Sequence, residues 1–367
     1  MPKINVTEQF PAVSVIIPTL NRARYLRQCI ESALSQEYPN LEVIVVDNGS
    51  TDNTREILSS FGNKIRCLKE GKRGIGTARN RGLRSAGGEF IALLDSDDFY
   101  LPGKISLSVK KLMENHAVSL VYTDLILVDS EGRRTETIKK NPPQPEKFLR
   151  TFLGHFPILP STTLLRKKCL ENTGYFDETL LNCHEDTDMW FRMLKAGYRF
   201  DHIPEPLTAY RQHPENFWCL KDNEEPIRLG WDKIRSSAIE YFTVQELFGD
   251  LTKNKGWEKT VKREYDKLAD TYYFEHLPLS ARAAAKKSLE IGRPSFGLLF
   301  LNNTLQIFPL LHNILKTAVK LTLANIHPKL TRGAAGKYRK KLHDLFFKLR
   351  YRSLKIFLCR YGLDNNR

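Results

Sequence analysis

Three carboxylates follow an apolar run in the segment FIALLDSDDFY, residues 90–100. The run is typical of a buried strand, which would end by placing Asp95, Asp97 and Asp98 close together, although like charges repel one another. A divalent cation would relieve that repulsion, because Mg²⁺ and Mn²⁺ are held by one or two carboxylates together with phosphate oxygens. From this segment alone, an Asx turn or a helix cap, for which Asp98 is the candidate, explains the residues equally well.

A second acidic cluster stands in HEDTDMWFRMLKAGY, residues 184–198. The pattern predicts a helix with acids in its first turn and Gly197 as its C-terminal stop. The spacing is not that of the helical H-E-x-x-H zinc motif. A carboxylate at a helix N-terminus is oriented and stabilised by backbone N–H groups. The cluster could therefore supply a helix cap, a general base, or both.

The segment KRGIGTARNRG, residues 72–82, is rich in glycine and arginine. It is a poor match to a dinucleotide-binding fingerprint, because Arg79 stands where the third glycine is required and the segment follows the third predicted strand instead of the first. We expect a loop that lets Arg73 or Arg79 approach a phosphate, with Asn80 fixing the turn. The remaining arginines fit a solvated helix face equally well.

The elements that must position these residues alternate between strands and helices over the first hundred residues. The apolar runs that predict strands are VSVIIPT, LEVIVVD, KIRCLKE and FIALLD. Apolar residues at helical spacing fill RYLRQCIESALSQ, and GIGTARNRGLRSA reads as a second helix. This alternation predicts βαβ units and a Rossmann-like, mostly parallel central sheet with flanking helices, an α/β fold. Ligands of such sheets bind beyond the carboxyl ends of the strands, where this sequence places its polar residues.

Six segments occur in the order and spacing of a known family. They are VSVIIPTLNR, VIVVDNGSTDNT, GIGTARNRGL, GGEFIALLDSDD, HEDTDMWFRMLKAGY and YRQH. Together they resemble glycosyltransferase family 2, over roughly Pro11 to Asn216. The resemblance implies the GT-A fold, an inverting sugar transfer and Mg²⁺ or Mn²⁺ as cofactor. It implies a nucleotide sugar, first of all a UDP-sugar, as donor and a saccharide or lipid-linked hydroxyl group as acceptor, in cell-envelope or exopolysaccharide synthesis.

The resemblance also implies roles for the acidic residues. Asp97 and His213 would hold the metal, and Asp186 would be the base that takes the proton of the acceptor hydroxyl group. Single displacement with water excluded explains why no Ser or Cys nucleophile is needed.

The donor and acceptor would be contacted by further residues. Glu185 and Asp188 would support the base or contact the acceptor, and Trp218 could cover a sugar as part of a lid. Asp47 would accept a hydrogen bond from N3 of uracil. The residues expected around the nucleotide are Pro18, Thr19, Asn21, Asp47, Arg79, Asp95 and Ser96.

Two other functions are alternatives to sugar transfer. A nucleotidyltransferase would need an additional Gly-rich, Lys-bearing phosphate loop near the N-terminus, and PTLNRARYL lacks one. A catalytically inactive homologue that acts as a membrane-surface scaffold would have lost motif residues, and no loss is visible. Nucleic-acid binding has no recognition motif to support it.

The positive charge of the chain lies at its C-terminal end. From Ala281 onward, 18 Lys and Arg residues stand against three acidic ones, so this stretch carries the whole net charge of +15. Its Leu, Phe and Ile residues recur at helical spacing, which fits a helix on an anionic membrane surface or an amphipathic helix packed on the body. We expect a GT-A catalytic domain at 1–216, a helical extension at 217–280 and a basic amphipathic helical tail at 281–367.

The cysteines and the hydropathy indicate the compartment. The six cysteines are scattered without a C-x-x-C pair, which argues against a zinc site and a disulfide framework and fits a reducing compartment. The first twenty residues do not form a signal peptide, and no run of roughly 18 apolar residues occurs. We expect a cytoplasmic protein, with peripheral attachment to the inner face of the cell membrane as an option.

Overall fold

The computed structural model describes residues 10–140, 142, 148–149, 158–180, 184–216, 224–243, 245, 247, 258, 261–265, 268 and 278–291. All of them belong to the first of two compact units, Met1–Asn302 and Asn303–Arg367. The predicted lid residue Trp218 and the basic tail after Ile291 lie outside the described residues.

The described elements begin with the alternation that the sequence predicts. The strands are β1 Val13–Thr19, β2 Leu41–Asp47, β3 Arg66–Lys69, β4 Phe90–Leu93, β5 Phe99–Tyr100, β6 Val118–Val128, β7 Arg134–Ile138, β8 Thr163–Arg166 and β9 Arg199–Arg211. The α-helices are α1 Ala23–Leu34, α2 Thr54–Ser60, α3 Ile75–Ser85, α4 Lys104–Glu114, α5 Lys167–Thr173, α6 Glu185–Lys195, α7 Glu224–Tyr241 and α8 Pro278–Ile291. Short 3₁₀ turns occupy Gly62–Lys64 and Pro160–Thr162.

One mixed sheet organises the described residues in the order β3-β2-β1-β4-β8-β6-β9-β5, with β7 paired to β6. The expected α/β fold is confirmed, and its parallel part is β3-β2-β1-β4. The other part is mixed, because β8 runs antiparallel to both β4 and β6 while β9 runs parallel to β6. In the parallel part, the register pairs Thr19 with Asp47, so β1 and β2 end at the same level.

The central strands are buried on both faces. Every residue of β1 and of β4 is buried, as expected for parallel strands covered by helices on both sides. Helix α1 covers one face with side chains that recur at helical spacing, namely Tyr25, Leu26, Cys29, Ile30 and Ala33. This packing fixes the strand ends, from which the polar residues of the next section project.

Helix α3 lies very close to β1 because Gly82 has no side chain. A Cβ atom at Gly82 would stand 2.6 Å from Cγ2 of Ile16. The same helix carries Arg79 almost one turn earlier, so the close approach also brings that arginine toward the ends of the central strands.

Helices α7 and α8 extend the described unit beyond β9. Asp232 of α7 is buried and accepts hydrogen bonds from the backbone N–H groups of Leu279 at 3.0 Å and Ser280 at 2.7 Å. These are donors at the N-terminus of α8 that would otherwise lack partners within the helix. Across the described residues, no helix is long and apolar enough to cross a membrane.

Candidate active site

A cavity of about 410 Å³ opens at the carboxyl ends of β1, β2 and β4. Its position agrees with the rule that α/β sheets bind ligands beyond these strand ends. The predicted site residues that line it are Pro18, Thr19, Asn21, Arg79, Asp95, Ser96, Asp97, Glu185 and Asp186. Asp47, Asp188 and His213 do not line it. The fold therefore brings most of the predicted residues, which are far apart in the chain, to one place.

The segment after β4 forms a tight turn, in which the N–H of Asp98 donates to the carbonyl oxygen of Asp95 at 3.0 Å. The Asp98 carboxylate is buried and accepts hydrogen bonds from the Ser161 hydroxyl at 2.6 Å and the Arg211 N–H at 2.9 Å. Burial and the charges of Asp97 and Asp95 raise the pKa of Asp98 well above its usual range.

The alternative in which Asp98 caps the following helix is wrong. Helix α4 begins at Lys104, and its cap position is taken by Gly103 with φ of 83°. Asp98 instead ties the turn to the 3₁₀ turn and to β9, so it supports the carboxylates that face the cavity.

Asp97 lies against His213 at the side of the cavity. The Nε2 atom of His213 is 3.1 Å from Oδ2 of Asp97, and Nε of Arg22 is 3.4 Å from the same oxygen. Burial raises the pKa of Asp97, but the hydrogen bond from His213 and the charge of Arg22 outweigh it, so this pKa lies below its ordinary value. Asp97 is therefore ionised at neutral pH.

The pair fits a divalent cation that is shared with phosphate groups. Two ligand atoms that are neighbours on an octahedral cation stand about 3 Å apart when each bond is about 2.1 Å, close to the 3.1 Å between Asp97 and His213. Among the described residues, no group of three or more His, Cys, Asp or Glu side chains is arranged to hold a metal. Two protein ligands suffice where diphosphate oxygens and water complete the shell, as is usual for Mg²⁺ at nucleotide sites.

Arg79 joins the end of β4 to the start of α6. Its side chain is buried, one terminal nitrogen donates to Oδ1 of Asp95 at 2.6 Å, and the other donates to Oε1 of Glu185. The guanidinium also lies 5.3 Å from the ring centroid of Phe176. Burial alone would lower the pKa of Arg79, but the two carboxylates raise it above its ordinary value. The sequence predicted a phosphate ligand here, whereas in the structure both terminal nitrogens are engaged by carboxylates.

Glu185 and Asp186 begin helix α6. Oδ1 of Asp186 accepts the N–H of Thr187 at 2.6 Å, while the cap position belongs to His184, whose backbone adopts φ of 62°. Burial raises the pKa of Glu185 to about 7, although Arg79 lowers it. Burial also raises the pKa of Asp186. A carboxylate with a raised pKa is a stronger base, and Asp186 faces the cavity.

Asn80 holds the loop that leads to α6. Its amide oxygen accepts the N–H of Phe176 at 3.0 Å, and its amide nitrogen donates to the carbonyl oxygen of Phe176 at 2.9 Å and to Glu178 at 3.0 Å. The sequence predicted that Asn80 fixes its own turn. It fixes a distant loop instead, because the amide of Asn80 offers both a donor and an acceptor and so pairs with the N–H and the carbonyl oxygen of one backbone residue.

One end of the cavity lies where β1 and β2 end, beside the residues that the sequence predicted around a nucleotide. The Thr19 hydroxyl group is buried at the cavity wall and has no hydrogen-bond partner. Asp47 stands beside it in the sheet, and its Oδ1 accepts the N–H of Ser50 at 2.9 Å. Thr19 is thus available to a ligand from within the cavity, whereas Asp47 holds its own loop and does not line the cavity.

Two asparagines fix the loops around this end. Asn21 has φ of 53° and accepts the N–H of Thr51 at 2.7 Å, which joins the loops after β1 and β2. Asn48 donates to the carbonyl oxygen of Lys72 at 2.8 Å and accepts the N–H of Gly74 at 2.9 Å. Both side chains line the cavity as well.

Sequence reasoning missed other residues of the cavity wall. Arg22, Tyr210 and Asn216 all line it. For Arg22, a signal was present, since it directly follows Asn21 in the segment PTLNR. Tyr210 also had a signal, since it is the first residue of the YRQH segment. No local pattern singles out Asn216, which lies three residues after that segment.

Comparisons with known proteins identify the family of the chain. The sequence profile described as Glycosyl transferase family 2 matches residues 14–174. An uncharacterized glycosyltransferase of Rickettsia typhi is 36% identical over 247 residues, which are 65% of this chain and 74% of that protein. Hyaluronan synthase of Pasteurella multocida is 32% identical over 266 residues, which are 71% of this chain but only 27% of the synthase.

A solved structure shows the same fold. S. aureus TarS 1–349 in complex with UDP-GlcNAc aligns with a TM-score of 0.50 at 19% identity, over 76% of this chain and 92% of that one. The chain belongs to glycosyltransferase family 2, and its fold is that of the GT-A glycosyltransferases.

Proposed function

We propose that this glycosyltransferase is an inverting enzyme that moves a sugar from a nucleotide diphosphate sugar to a hydroxyl group of a saccharide or lipid-linked acceptor. One observation carries the proposal: Asp97 and Asp186 line the same cavity, one at the end of β4 and the other at the start of α6. An inverting transfer needs these two functions together, a group that stabilises the leaving diphosphate and a base for the acceptor.

In this proposal, Asp186 is the catalytic residue. Its carboxylate takes the proton of the acceptor hydroxyl group while that oxygen attacks the anomeric carbon and the bond from this carbon to the diphosphate breaks. Burial raises the pKa of Asp186 and so strengthens it as a base. The Thr187 N–H at 2.6 Å holds the carboxylate at the helix N-terminus. The products are the glycoside with inverted configuration, the nucleoside diphosphate and a protonated Asp186.

Asp97 and His213 would hold Mg²⁺ or Mn²⁺. When bound, such a cation supplies electrophilic stabilisation of the departing diphosphate. Arg79 is a positioning residue, because its contacts with Asp95 and Glu185 set the distance between the strand end and the helix that carries Asp186.

Two findings support the choice of donor and setting. The TarS fragment of similar fold was solved with UDP-GlcNAc, which supports a UDP-sugar as donor. Relatives named hyaluronan synthase and chondroitin synthase support a saccharide acceptor in polysaccharide synthesis. An inactive scaffold would not need Asp97 and Asp186 on one cavity, and a nucleotidyltransferase would need a Lys-bearing phosphate loop, which PTLNRARYL lacks.

The test is release of nucleoside diphosphate from a panel of UDP- and GDP-sugars by the full chain, with and without Mn²⁺. Slow hydrolysis of one donor, dependent on Mn²⁺, is the expected result, and NMR of the released or transferred sugar would show inverted anomeric configuration. Turnover of nucleoside triphosphates with release of pyrophosphate, or retention of configuration, would contradict the proposal.

A further inference from the structure

Three arginines surround the turn that carries Asp97, and they differ in how firmly they are held. Arg79 and Arg211 are 1% and 2% exposed. Arg211 donates from Nε to the carbonyl oxygen of Asp97 at 2.8 Å, and its guanidinium lies 4.8 Å from the ring centroid of Tyr25. Arg22 differs from both, since its side chain is 24% exposed. Two of these arginines are therefore enclosed by the protein, whereas the third is partly exposed to solvent.

Arg22 contacts backbone carbonyl oxygens and two carboxylates, and its contacts with the carboxylates are long. Its Nε atom is 3.4 Å from Oδ2 of Asp97, and its terminal nitrogens lie 3.1 Å from the carbonyl oxygen of Glu215 and 3.6 Å from the carboxylate of that residue. Glu215 is 71% exposed, so solvent screens this ion pair. The guanidinium stands at the cavity wall without a short, paired hydrogen bond to any carboxylate.

Arg22 and the expected cation would meet at the same atom. Oδ2 of Asp97 is the oxygen that faces both His213 and Arg22. The Nε atom of Arg22 is 3.4 Å from this oxygen. A divalent cation bound to the same oxygen would repel the guanidinium and would compete with it for the negative charge of Asp97. The planar fork of an arginine is well suited to phosphate oxygens.

We propose that Arg22 pairs with Asp97 before ligands bind. When a cation binds to Asp97, Arg22 instead pairs with the diphosphate of the donor. This inference rests on the proposed function, because it assumes a donor with a diphosphate group. It assigns Arg22 two opposite effects: it weakens cation binding before the nucleotide arrives, and it strengthens nucleotide binding once the cation is present. The enzyme would then favour the cation and the diphosphate as a pair.

The experiment measures both affinities in the full chain. Mn²⁺ binding without nucleotide is followed by the EPR signal of free Mn²⁺, and binding of UDP and of GDP in saturating Mn²⁺ is followed by calorimetry. In Arg22→Gln, the affinity for Mn²⁺ should rise about two- to fivefold, as expected for loss of a partly exposed charge. The affinity for the nucleotide should fall about tenfold or more, as expected for loss of a hydrogen bond to a charged group.

The matched control is Arg27→Gln, an exposed arginine of helix α1, which begins directly after Arg22; the side chain of Arg27 contacts Ser60 and Glu31. It should leave both affinities unchanged, and Arg22→Lys should recover part of the nucleotide affinity. A fall in both affinities of Arg22→Gln would mean a structural role, and any result other than the opposite pair of changes would overturn the inference. If the wild-type chain binds neither UDP nor GDP with Mn²⁺, the proposed function itself fails.

Discussion

Arg79 donates to Asp95 at 2.6 Å, and this contact joins helix α3 to the carboxyl end of β4. Its second terminal nitrogen donates to Glu185, the first residue of α6. One buried guanidinium therefore sets the spacing between the carboxylates at the strand end and the helix that carries the proposed base.

Replacement of Arg79 should damage both stability and activity. Arg79→Gln leaves two carboxylates without their cation in a buried place, which typically costs about 3–5 kcal/mol when one partner of a buried ion pair is removed. Urea unfolding measures the loss. The control is Arg81→Gln, an exposed residue of the same helix, which should change the free energy of unfolding by less than about 0.5 kcal/mol. Equal effects of the two variants would contradict the cross-link.

Glu185 predicts a dependence of stability on pH. Its pKa is raised from 4.5 to about 7 by burial, so the folded chain binds the proton more tightly than the unfolded chain does. The free energy of unfolding of the metal-free protein should therefore receive a contribution that falls as the pH rises from about 4.5 to about 7. In Glu185→Gln, this contribution should vanish, as urea unfolding across that range would show.

The control for this pH dependence is Glu178→Gln. Hydrogen bonds from Asn80 and Lys72 lower the pKa of Glu178 to about 2. Glu178 therefore contributes its full share to the free energy of unfolding at any pH above its ordinary pKa. In Glu178→Gln, the slope of this free energy against pH between about 4.5 and about 7 should stay as in the wild type. A slope unchanged in Glu185→Gln would show that other groups produce it.

Replacement of Asp186 should separate chemistry from binding. Asp186→Asn keeps the size of the side chain but cannot accept the proton, so kcat should fall by about 10² or more. The affinity for the nucleotide, measured by calorimetry, should stay within a few-fold. Asp188→Asn is the control, because Asp188 pairs with Arg192 at 2.8 Å and does not line the cavity. Loss of nucleotide binding in Asp186→Asn would mean that Asp186 is structural.

Removal of the metal site should stop the transfer. Asp97→Asn removes a charged ligand, and kcat should fall by about 10² or more because the leaving diphosphate loses its electrophile. Excess EDTA should have the same effect on the wild type, and added Mn²⁺ should restore only the wild type. Full activity in EDTA would show that the transfer needs no divalent cation.

The basic tail predicts reversible binding to anionic membranes. Its 18 Lys and Arg residues against three acids would each contribute about 1 kcal/mol near such a surface, screened by salt. Flotation of the full chain with phosphatidylserine vesicles should show binding at low salt, release at high salt, and none to phosphatidylcholine vesicles. Indifference to vesicle charge would favour a tail that packs on the protein. Most of this tail lies outside the described residues.

Sequence patterns were sufficient for the central strands. The runs VSVIIPT and LEVIVVD coincide with β1 and β2 residue for residue, because buried parallel strands are continuous apolar runs that end at polar residues. Strand β8 was not predicted. It has only four residues, and its place between β4 and β6 depends on pairing with distant strands.

For the site, the sequence identified residues but not their partners. The carboxylates and Arg79 are visible as local motifs, yet the pairing of Arg79 with Glu185 or of Asp98 with Ser161 spans a large part of the chain. Such pairs depend on the order of the strands and on the packing of α3, which no local pattern contains. This is why the sequence could not show that Arg79 pairs with Asp95 and Glu185 or that Asp98 pairs with Ser161.

The contact of Asp232 with the first residues of α8 bears on where the chain can be cut. Leu279 is 47 positions after Asp232, and the N–H of Leu279 donates a hydrogen bond to the buried carboxylate of Asp232 in α7. Helix α7 in turn contacts α6, and Phe242 just beyond it lies 6.0 Å, between ring centroids, from Phe191 of α6. A polypeptide that stops at residue 216, where the family motifs end, would lack α7 and Phe242. The helix that carries Asp186 would then lose its contacts with them. We therefore expect a chain cut after residue 216 to be less stable than one that extends through Ile291, well past the residues that line the cavity.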